Sequence, residues 1–599
     1  MSVILLSLLF SFLSSFYSEE RQHYCHSATP MEPQFLETTE QQHLSYSPGT
    51  ATSREGARPT EDPTTQTELE WRPTKGFLLA FTSLQLIVAV VSIESTSLPP
   101  ALPVMSAELG GTALQAFWAG TSYLLTSTVI QLPVASMSHI LGRKIVLYFC
   151  MAVFTAGSLI CALARNFNVI LVGRSIQGIG GGGLVVLIEI LISDLIPLAQ
   201  RGTWFSINSV MWCVGTAIGP LVGSGFAQNI TWRWIFWINL PFVGVATVLV
   251  ILFLKLSGLP GHILYKLRMF DWLGTILFSA TSAGFLFGIT TGGVMFQWSS
   301  YATLIPIIVG LAGIVVFIFW EFRFASEPII EKRIFKTWTT VATYIQTMLH
   351  GLVAWAAIFY LVLYYQGVKG YSPIMSAVAM LPETVNLGWS SVAAGFAIGK
   401  IQRYRWALWI GWASLTLGSG LLYLLKPDTS PVQWVFLNIP LGIGVGTLFT
   451  PQILCIQAST DPEFNGHAAA FFSFIRIFGQ ALGVAIPGVI FQNEFKARLE
   501  VAPEFTSVAD EYSRDATLVV EIIKEMTDIG RKTQLIQAYS DSLRAIWLSI
   551  LAFSAVGLVL SATVKGYSMK QEHVTKQKLV QREKGSENAT EAAVMDNDM

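Results

Sequence analysis

The sequence predicts an all-α integral membrane protein, a bundle of 14 transmembrane helices. Three observations carry this. Of 599 residues, 52% are hydrophobic and 13% charged, about half the charge of a soluble domain. From Gly76 onward, apolar runs alternate with short polar links, and each run has the roughly 20 residues that a helix needs to cross a bilayer. Basic residues also gather in alternate links, as the positive-inside tendency requires.

The runs fall near 76–98, 113–136, 144–164, 168–192, 202–226, 234–255, 272–293, 302–322, 339–365, 374–398, 406–425, 433–456, 467–491 and 544–564. With a cytoplasmic N-terminus, the inner links hold Arg143, Lys144, Arg201, Lys255, Lys266, Arg268, Arg323, Lys332, Arg333, Lys336, Lys400, Arg403 and Arg405. The outer short links hold Arg165, Arg233, Lys369 and Lys426. That bias puts both termini in the cytoplasm. Met1–Tyr17 has about the length of a signal peptide's apolar part but lacks the positive residues that precede one. Residues 1–75 are read as a cytoplasmic N-terminal tail, disordered over its Ser-, Thr-, Pro- and Glu-rich part, and 566–599 as a second disordered tail. The long outer link 493–543 contains Val519, Ile522, Ile523 and Met526 at helical spacing, which predicts a short amphipathic helix.

Several function classes drop out. A net charge of −1 gives no sign of nucleic-acid binding. No GxxxxGK[ST] phosphate loop is present, which argues against an ATP-driven pump on this chain. Of five cysteines, Cys150, Cys161, Cys213 and Cys455 lie in apolar runs and Cys25 in the tail, none at metal-ligand spacing. No Ser/His/Asp set stands at a membrane face, so the chain is read as no enzyme, with no metal and no cofactor. The partners expected are the lipid bilayer, protons and a small-molecule substrate, acting on a monomer.

Charges inside apolar runs point to function, because each costs about 3 kcal/mol to insert unless it faces a partner or water. Glu94 lies in the first run, within IESTSLPPALP, and Arg174 in the fourth, within LVGRSIQGIGGGG. Counting from the run ends at 1.5 Å per residue places both in the outer part of a ~30 Å core, where they can pair. Gln177 follows Arg174 within a turn, and Gly178 and Gly180–Gly183 thin that helix for a neighbour. Glu383 follows Pro382 in the middle of the tenth run, where a bent backbone can line a cavity. Glu189 and Arg476 are also at membrane depth; Glu189 is read as reaching toward the cytoplasm, and Asp194 as ending its helix. His350 is read as a packed polar residue. Trp118, Trp232, Trp234, Trp298, Tyr371, Trp406 and Trp434 are read as interfacial anchors.

Two further stretches concern movement. After the second run comes SMSHILGRKIVLYF, in which Gly142 permits a tight turn and Arg143 and Lys144 open the next helix. The fifth run contains MWCVGTAIGPLVGSG, where Gly215, Gly219 and Gly223 share one face and Pro220 removes a backbone donor. Such a stripe lets another helix approach closely.

LGRK, LVGRSIQGIGGGG, GTAIGPLVGSG and WRWIFWINLP, in this order and topology, resemble the 14-span drug:proton antiporters of the major facilitator superfamily, in their fungal toxin and multidrug efflux branch. The resemblance covers about residues 75–565. It implies the major facilitator fold in a 6+2+6 layout, with a first six-helix bundle at 76–255, an inserted two-helix segment with flanking loops at 256–338, and a second bundle at 339–565. It also implies alternating access, with the span-five glycine stretch typical of antiporters and the LGRK link helping to hold one closed arrangement. The family's usual Asp three residues before Gly142 is His139 here, Ala135 and Ser224 replace usual glycines, and Glu94 stands where Asp is commoner.

Together these predict a proton-coupled exporter of small, largely apolar organic compounds in the plasma membrane. Burial raises a carboxylate's pKa and a neighbouring Arg lowers it, so Glu94 could exchange a proton against Arg174. The alternative on the same fold is an importer or exchanger of nutrients, polyamines or iron chelates.

Overall fold

In a computed structural model, Trp71 and residues 73–575 are described, apart from 111–112, 258–261, 294 and 515. Met1–Tyr17, Cys25 and nearly all of the N-terminal tail lie outside the described residues, as does 576–599. The described chain is helical, with no β-strand. Its long helices are α1 (Lys75–Ser97), α2 (Ala113–Leu141), α3 (Arg143–Ala162), α4 (Phe167–Leu195), α5 (Leu198–Asn229), α6 (Asn239–Phe253), α7 (Trp272–Thr291), α8 (Tyr301–Arg323), α9 (Trp338–Leu363), α10 (Leu381–Ile401), α11 (Arg405–Leu422), α12 (Pro431–Ala458), α13 (Asn465–Val501) and α14 (Ile529–Thr563).

A helix stands at each expected run, yet only twelve spans among the described residues are long and apolar enough to cross a membrane. Helices α10 and α11 fall short. Glu383, Asn386 and Lys400 dilute α10, and Arg405 with several Gly and Ser residues dilutes α11. Both still pack into the bundle, α10 on α5 and α12, and α11 on α12 and α14.

Three boundaries differ from the sequence reading. The 493–543 link is largely helical: α13 continues to Val501, α14 starts at Ile529, and a short helix, Ala516–Glu525, lies between them. That short helix buries Val519, Val520 and Ile523, while Ile522 is half-buried and Met526 lies beyond its end. The tenth run breaks after Ala379, so Glu383 occupies the first turn of α10 rather than its middle. Pro382 explains the break, since proline belongs in the first turn of a helix and not in its interior. The C-terminal tail is ordered at its start: Met569 is buried, the Tyr404 hydroxyl accepts from the Tyr567 amide at 2.9 Å, and Gln571 donates to the Ala458 carbonyl at 2.8 Å.

The glycine stripe of α5 lies against α1. A Cβ on Gly219 would come within 2.9 Å of the Ile93 carbonyl oxygen and 3.1 Å of the Thr96 Cβ, and one on Gly215 within 2.9 Å of the Ile93 nitrogen. The close approach admits hydrogen bonds between helices, from Ser92 to the Met211 carbonyl and from Thr96 to that of Gly215, both at 3.3 Å. Helix α5 continues unbroken through Pro220. In α4, Gly180 meets the backbone of Phe154 on α3, while Gly178 and Gly182 meet α2 at Tyr123 and Ser127.

The pair α7/α8 leans on α2 and α13 together. Val129, Leu286 and Ala481 form one buried cluster with Leu124, Leu125, Ala283 and Phe478 around it. Phe278 packs on Phe474 and Trp118 on Phe287, with ring centres 5.4 and 5.3 Å apart. Helix α8 keeps most of its apolar surface exposed, which suits a lipid-facing position.

The α5 stripe is expected to tolerate no side chain. Gly219→Val should cost about 1–3 kcal/mol through overpacking against α1 and lower the melting temperature of the purified protein. Gly225→Ala, with no atom within 4 Å of the new Cβ, should leave it unchanged.

Candidate functional site

Glu94 and Arg174 meet. The Arg174 Nη1 lies 2.5 Å from the Glu94 Oε1, and both side chains are buried. Both Glu94 oxygens and two of the three Arg174 nitrogens are hydrogen-bonded. Arg174 also donates from Nε to the Ala119 carbonyl at 3.0 Å and from Nη1 to the Gln177 Oε1 at 2.8 Å. Its guanidinium sits 4.4 Å from the Tyr123 ring centre. The Glu94 Oε2 accepts from Asn239 at 2.6 Å, and Gln177 donates to Ser158 at 2.8 Å. Helices α1, α2, α3, α4 and α6 thus converge on one polar knot. Asn239, from WRWIFWINLP, and Ser158 escaped the sequence reading because neither is charged.

An apolar lid covers the knot. Leu98 and Ala101 follow Glu94, Cys161 and Ala162 follow Ser158, Phe167 and Ile170 precede Arg174, and Trp232, Ile235 and Phe236 precede Asn239. Because α1 and α3 run opposite to α4 and α6, all of these lie on one side of the knot, within roughly two turns. Glu94 is therefore sealed from that end of the bundle, the Trp232 end. Trp232 is fully buried and donates to the Glu108 Oε2 at 2.7 Å, and Trp434 is buried against Tyr365. Neither serves as the interfacial anchor expected; each has a packed ring instead. Arg233 holds the other Glu108 oxygen at 2.5 Å. Its hydrogen bond, with that of Trp232, keeps the Glu108 carboxyl below the usual range.

The opposite, Gly142 end holds a second network. Helix α2 runs to Leu141, so the link to α3 is Gly142 alone, at φ 102°. Only glycine adopts that conformation without strain. Arg143 binds Asp194 at 2.9 Å, Ser138 at 2.6 Å and the His139 Nδ1 at 3.0 Å. The carboxylate missing from the link is thus supplied by α4. The His139 ring stacks flat on His467 of α13, with centres 3.8 Å apart. A Cβ on Gly466 would come within 3.1 Å of both His139 and Arg143. Lys144 lies over the Tyr148 ring. Nearby, Arg201 donates to the Gln457 side chain at 2.9 Å, and Gln457 to Ser193 at 2.6 Å. These contacts join α2, α4 and α5 to α12 and α13, and they close this end.

Deeper in, Glu189 of α4 pairs with Arg476 of α13, both buried. Glu189 therefore does not reach out of the bundle, as the sequence reading had it; a guanidinium from another helix holds it inside. Beside this pair a small cavity of about 40 Å³ lies between α5 and helices α9, α10, α12 and α13. Its wall includes Trp212, Thr216, Trp355, Thr384, Phe449, Arg476 and Gln480. Glu383 is fully buried, and neither of its oxygens has a hydrogen-bond partner. The structure does not bring it to Glu94. His350 is buried and bonds the Val445 carbonyl at 3.0 Å, as a packed polar residue does. No cluster of metal-ligating side chains occurs among the described residues.

A family model described as Major Facilitator Superfamily matches residues 84–263 and 274–484. "MFS transporter L2" of Phoma sp. is 47% identical over 515 residues, 86% of each chain. "Efflux pump FUS6" of Gibberella fujikuroi is 31% identical over 549 residues, 90% of this chain and 98% of its own. Among solved structures, the proton:xylose symporter XylE superposes with a TM-score of 0.50 at 12% identity, over 78% of this chain and 99% of its own.

Two measurements check the site. Arg174→Gln should destabilise the protein by about 3–5 kcal/mol, because it strands a buried carboxylate; adding Glu94→Gln should restore much of that in a thermal double-mutant cycle. The effect of Glu108→Gln should be below about 1 kcal/mol. It should show at neutral pH and fade as pH falls through the lowered Glu108 range, since a depressed carboxyl contributes only while ionised.

Proposed function

The chain belongs to the major facilitator superfamily, and from that premise we propose that it is a proton-coupled secondary active transporter exporting small, largely apolar organic compounds by alternating access. Relatives named as efflux pumps support the direction. The small cavity beside α5 lies at a seam that parts in an alternating-access cycle, and its lining of Trp212, Trp355 and Phe449 with a few polar groups supports the cargo class. The observation that carries proton coupling is the Glu94–Arg174 pair, a buried carboxylate fully bonded beneath an apolar lid.

In this reading all fourteen helices span the plasma membrane of a monomer with both termini in the cytoplasm. Helices α1–α6 and α9–α14 form the two bundles, and α7/α8 is the inserted pair. The Gly142 end then faces the cytoplasm, and the arrangement described above is the one shut on that side. His139, Arg143 and Asp194, meeting His467, act as the latch of that state. Gly215, Gly219 and Gly223 let α1 and α5 slide on each other around Pro220.

Coupling follows from the cost of a lone buried charge. When α1 and α4 shift, Glu94 loses the guanidinium, and a buried carboxylate without a counter-charge takes a proton. Arg174 retains Gln177 and the Ala119 carbonyl. When the proton leaves, the pair re-forms and draws the two helices together again. Helix α4 carries Arg174 and Glu189 on one rigid rod, about 22 Å apart by helical rise, so a tilt at the knot is felt at the second pair.

Inside-out vesicles with an acid interior test this reading, using labelled compounds that the wild-type chain accumulates. Glu94→Gln should abolish gradient-driven accumulation while leaving exchange without a gradient, and Glu94→Asp should keep both. Unchanged accumulation by Glu94→Gln, or cargo movement in the opposite direction under the same gradient, would contradict it.

A further inference from the structure

The two buried ion pairs are built differently. Arg174 is bound by a carboxylate, an amide oxygen and a backbone carbonyl. Arg476 makes one hydrogen bond, from Nη2 to Glu189, and its planar face rests on the Phe472 and Phe449 rings at 5.0 and 5.5 Å. A guanidinium carries five N–H donors, so most of its capacity is unused. Arg476 is also the one charged residue in the wall of the cavity, together with Gln480 one turn on, Trp212 and Trp355. The first pair is a cation held by several acceptors. The second is a cation on the cavity wall with a single, exchangeable acceptor.

The pair also crosses the seam. Glu189 comes from α4 and Arg476 from α13, on opposite sides of the cleft that must part when the Gly142 end opens. Parting leaves Arg476 facing the cavity with all its donors free. A lone buried guanidinium needs a counter-ion, and bidentate carboxylate geometry satisfies it best. Closure brings Glu189 back to the same nitrogen.

We propose that Arg476 is the residue that recognises the cargo, that the cargo is a largely apolar, ring-bearing acid, and that Glu189 is its built-in competitor. The cargo's carboxylate takes Arg476 when the bundles separate at the Gly142 end. It is displaced when they close there and Glu189 returns. This rests on the exporter reading and gives it a release step: affinity is high where cargo enters and falls where it leaves. The aromatic wall takes the rings of the cargo, and a cationic compound is repelled by the one charge that lines the cavity.

Equilibrium binding to the full chain in lipid nanodiscs, without any gradient, tests this with 1-pyrenebutyric acid and 1-pyrenebutanol, which share a ring system and differ in the acid. Pyrene fluorescence reports both. Glu189→Gln is expected to bind the acid about tenfold more tightly than wild type does, the scale of one charge-assisted hydrogen bond, with the alcohol unchanged. Arg476→Gln should bind acid and alcohol alike, and Arg476→Lys should keep a preference for the acid. Should Arg476→Gln fail to fold, the Glu189→Gln comparison decides alone. If Glu189→Gln binds the acid no more tightly than wild type does, or Arg476→Gln retains the acid preference, the proposal is overturned. Either failure leaves proton-driven export standing. Loss of the gradient effect with acid binding intact would remove only the latter.

Discussion

The structure depends on one constraint: a charge inside an apolar bundle has to be matched by another charge or by enough hydrogen bonds. Glu94 and Arg174 satisfy it by drawing five helices onto one knot. Glu189 and Arg476 satisfy it across the seam between two groups of helices. Arg143 and Asp194 do so at the Gly142 end. Each pair fixes the relation of helices that apolar packing alone would leave free to slide, because lipid is as apolar as leucine.

Small residues make these pairings reachable. Gly178, Gly180 and Gly182 bring α2 and α3 close enough to α4 for Tyr123 and Ser158 to reach Arg174 and Gln177. The α5 stripe does the same against α1, where Ser92 and Thr96 bond the α5 backbone directly. Tight backbone packing and hydrogen bonds between helices are thus provided by the same residues.

Much of this was legible in the sequence, and the misses have physical reasons. Run length and charge bias located the helices, since the bilayer thickness is a ruler. Depth counting paired Glu94 with Arg174 because both sit near one membrane face on early, short-linked helices. The same counting applied to Glu189 and Arg476 gives each a depth but no partner, as 287 residues separate them and pairing depends on how the two halves meet. Asp194 was read as a helix end when it also supplies the carboxylate that His139 lacks. Trp232 and Trp434 were misplaced because an aromatic near a helix end can face inward as well as outward. Glu383 was found by its charge, and its burial without a partner came only with the fold.

The most direct measurement of the central claim is infrared difference spectroscopy on the full chain in lipid, titrated with pH and compared with Glu94→Gln. If a proton replaces Arg174 on Glu94 during the cycle, wild type will show a protonated-carboxyl band that Glu94→Gln lacks. The band will grow as accessibility labelling reports opening of the Gly142 end. A Glu94 carboxylate that stays ionised while that end opens and closes would contradict the account.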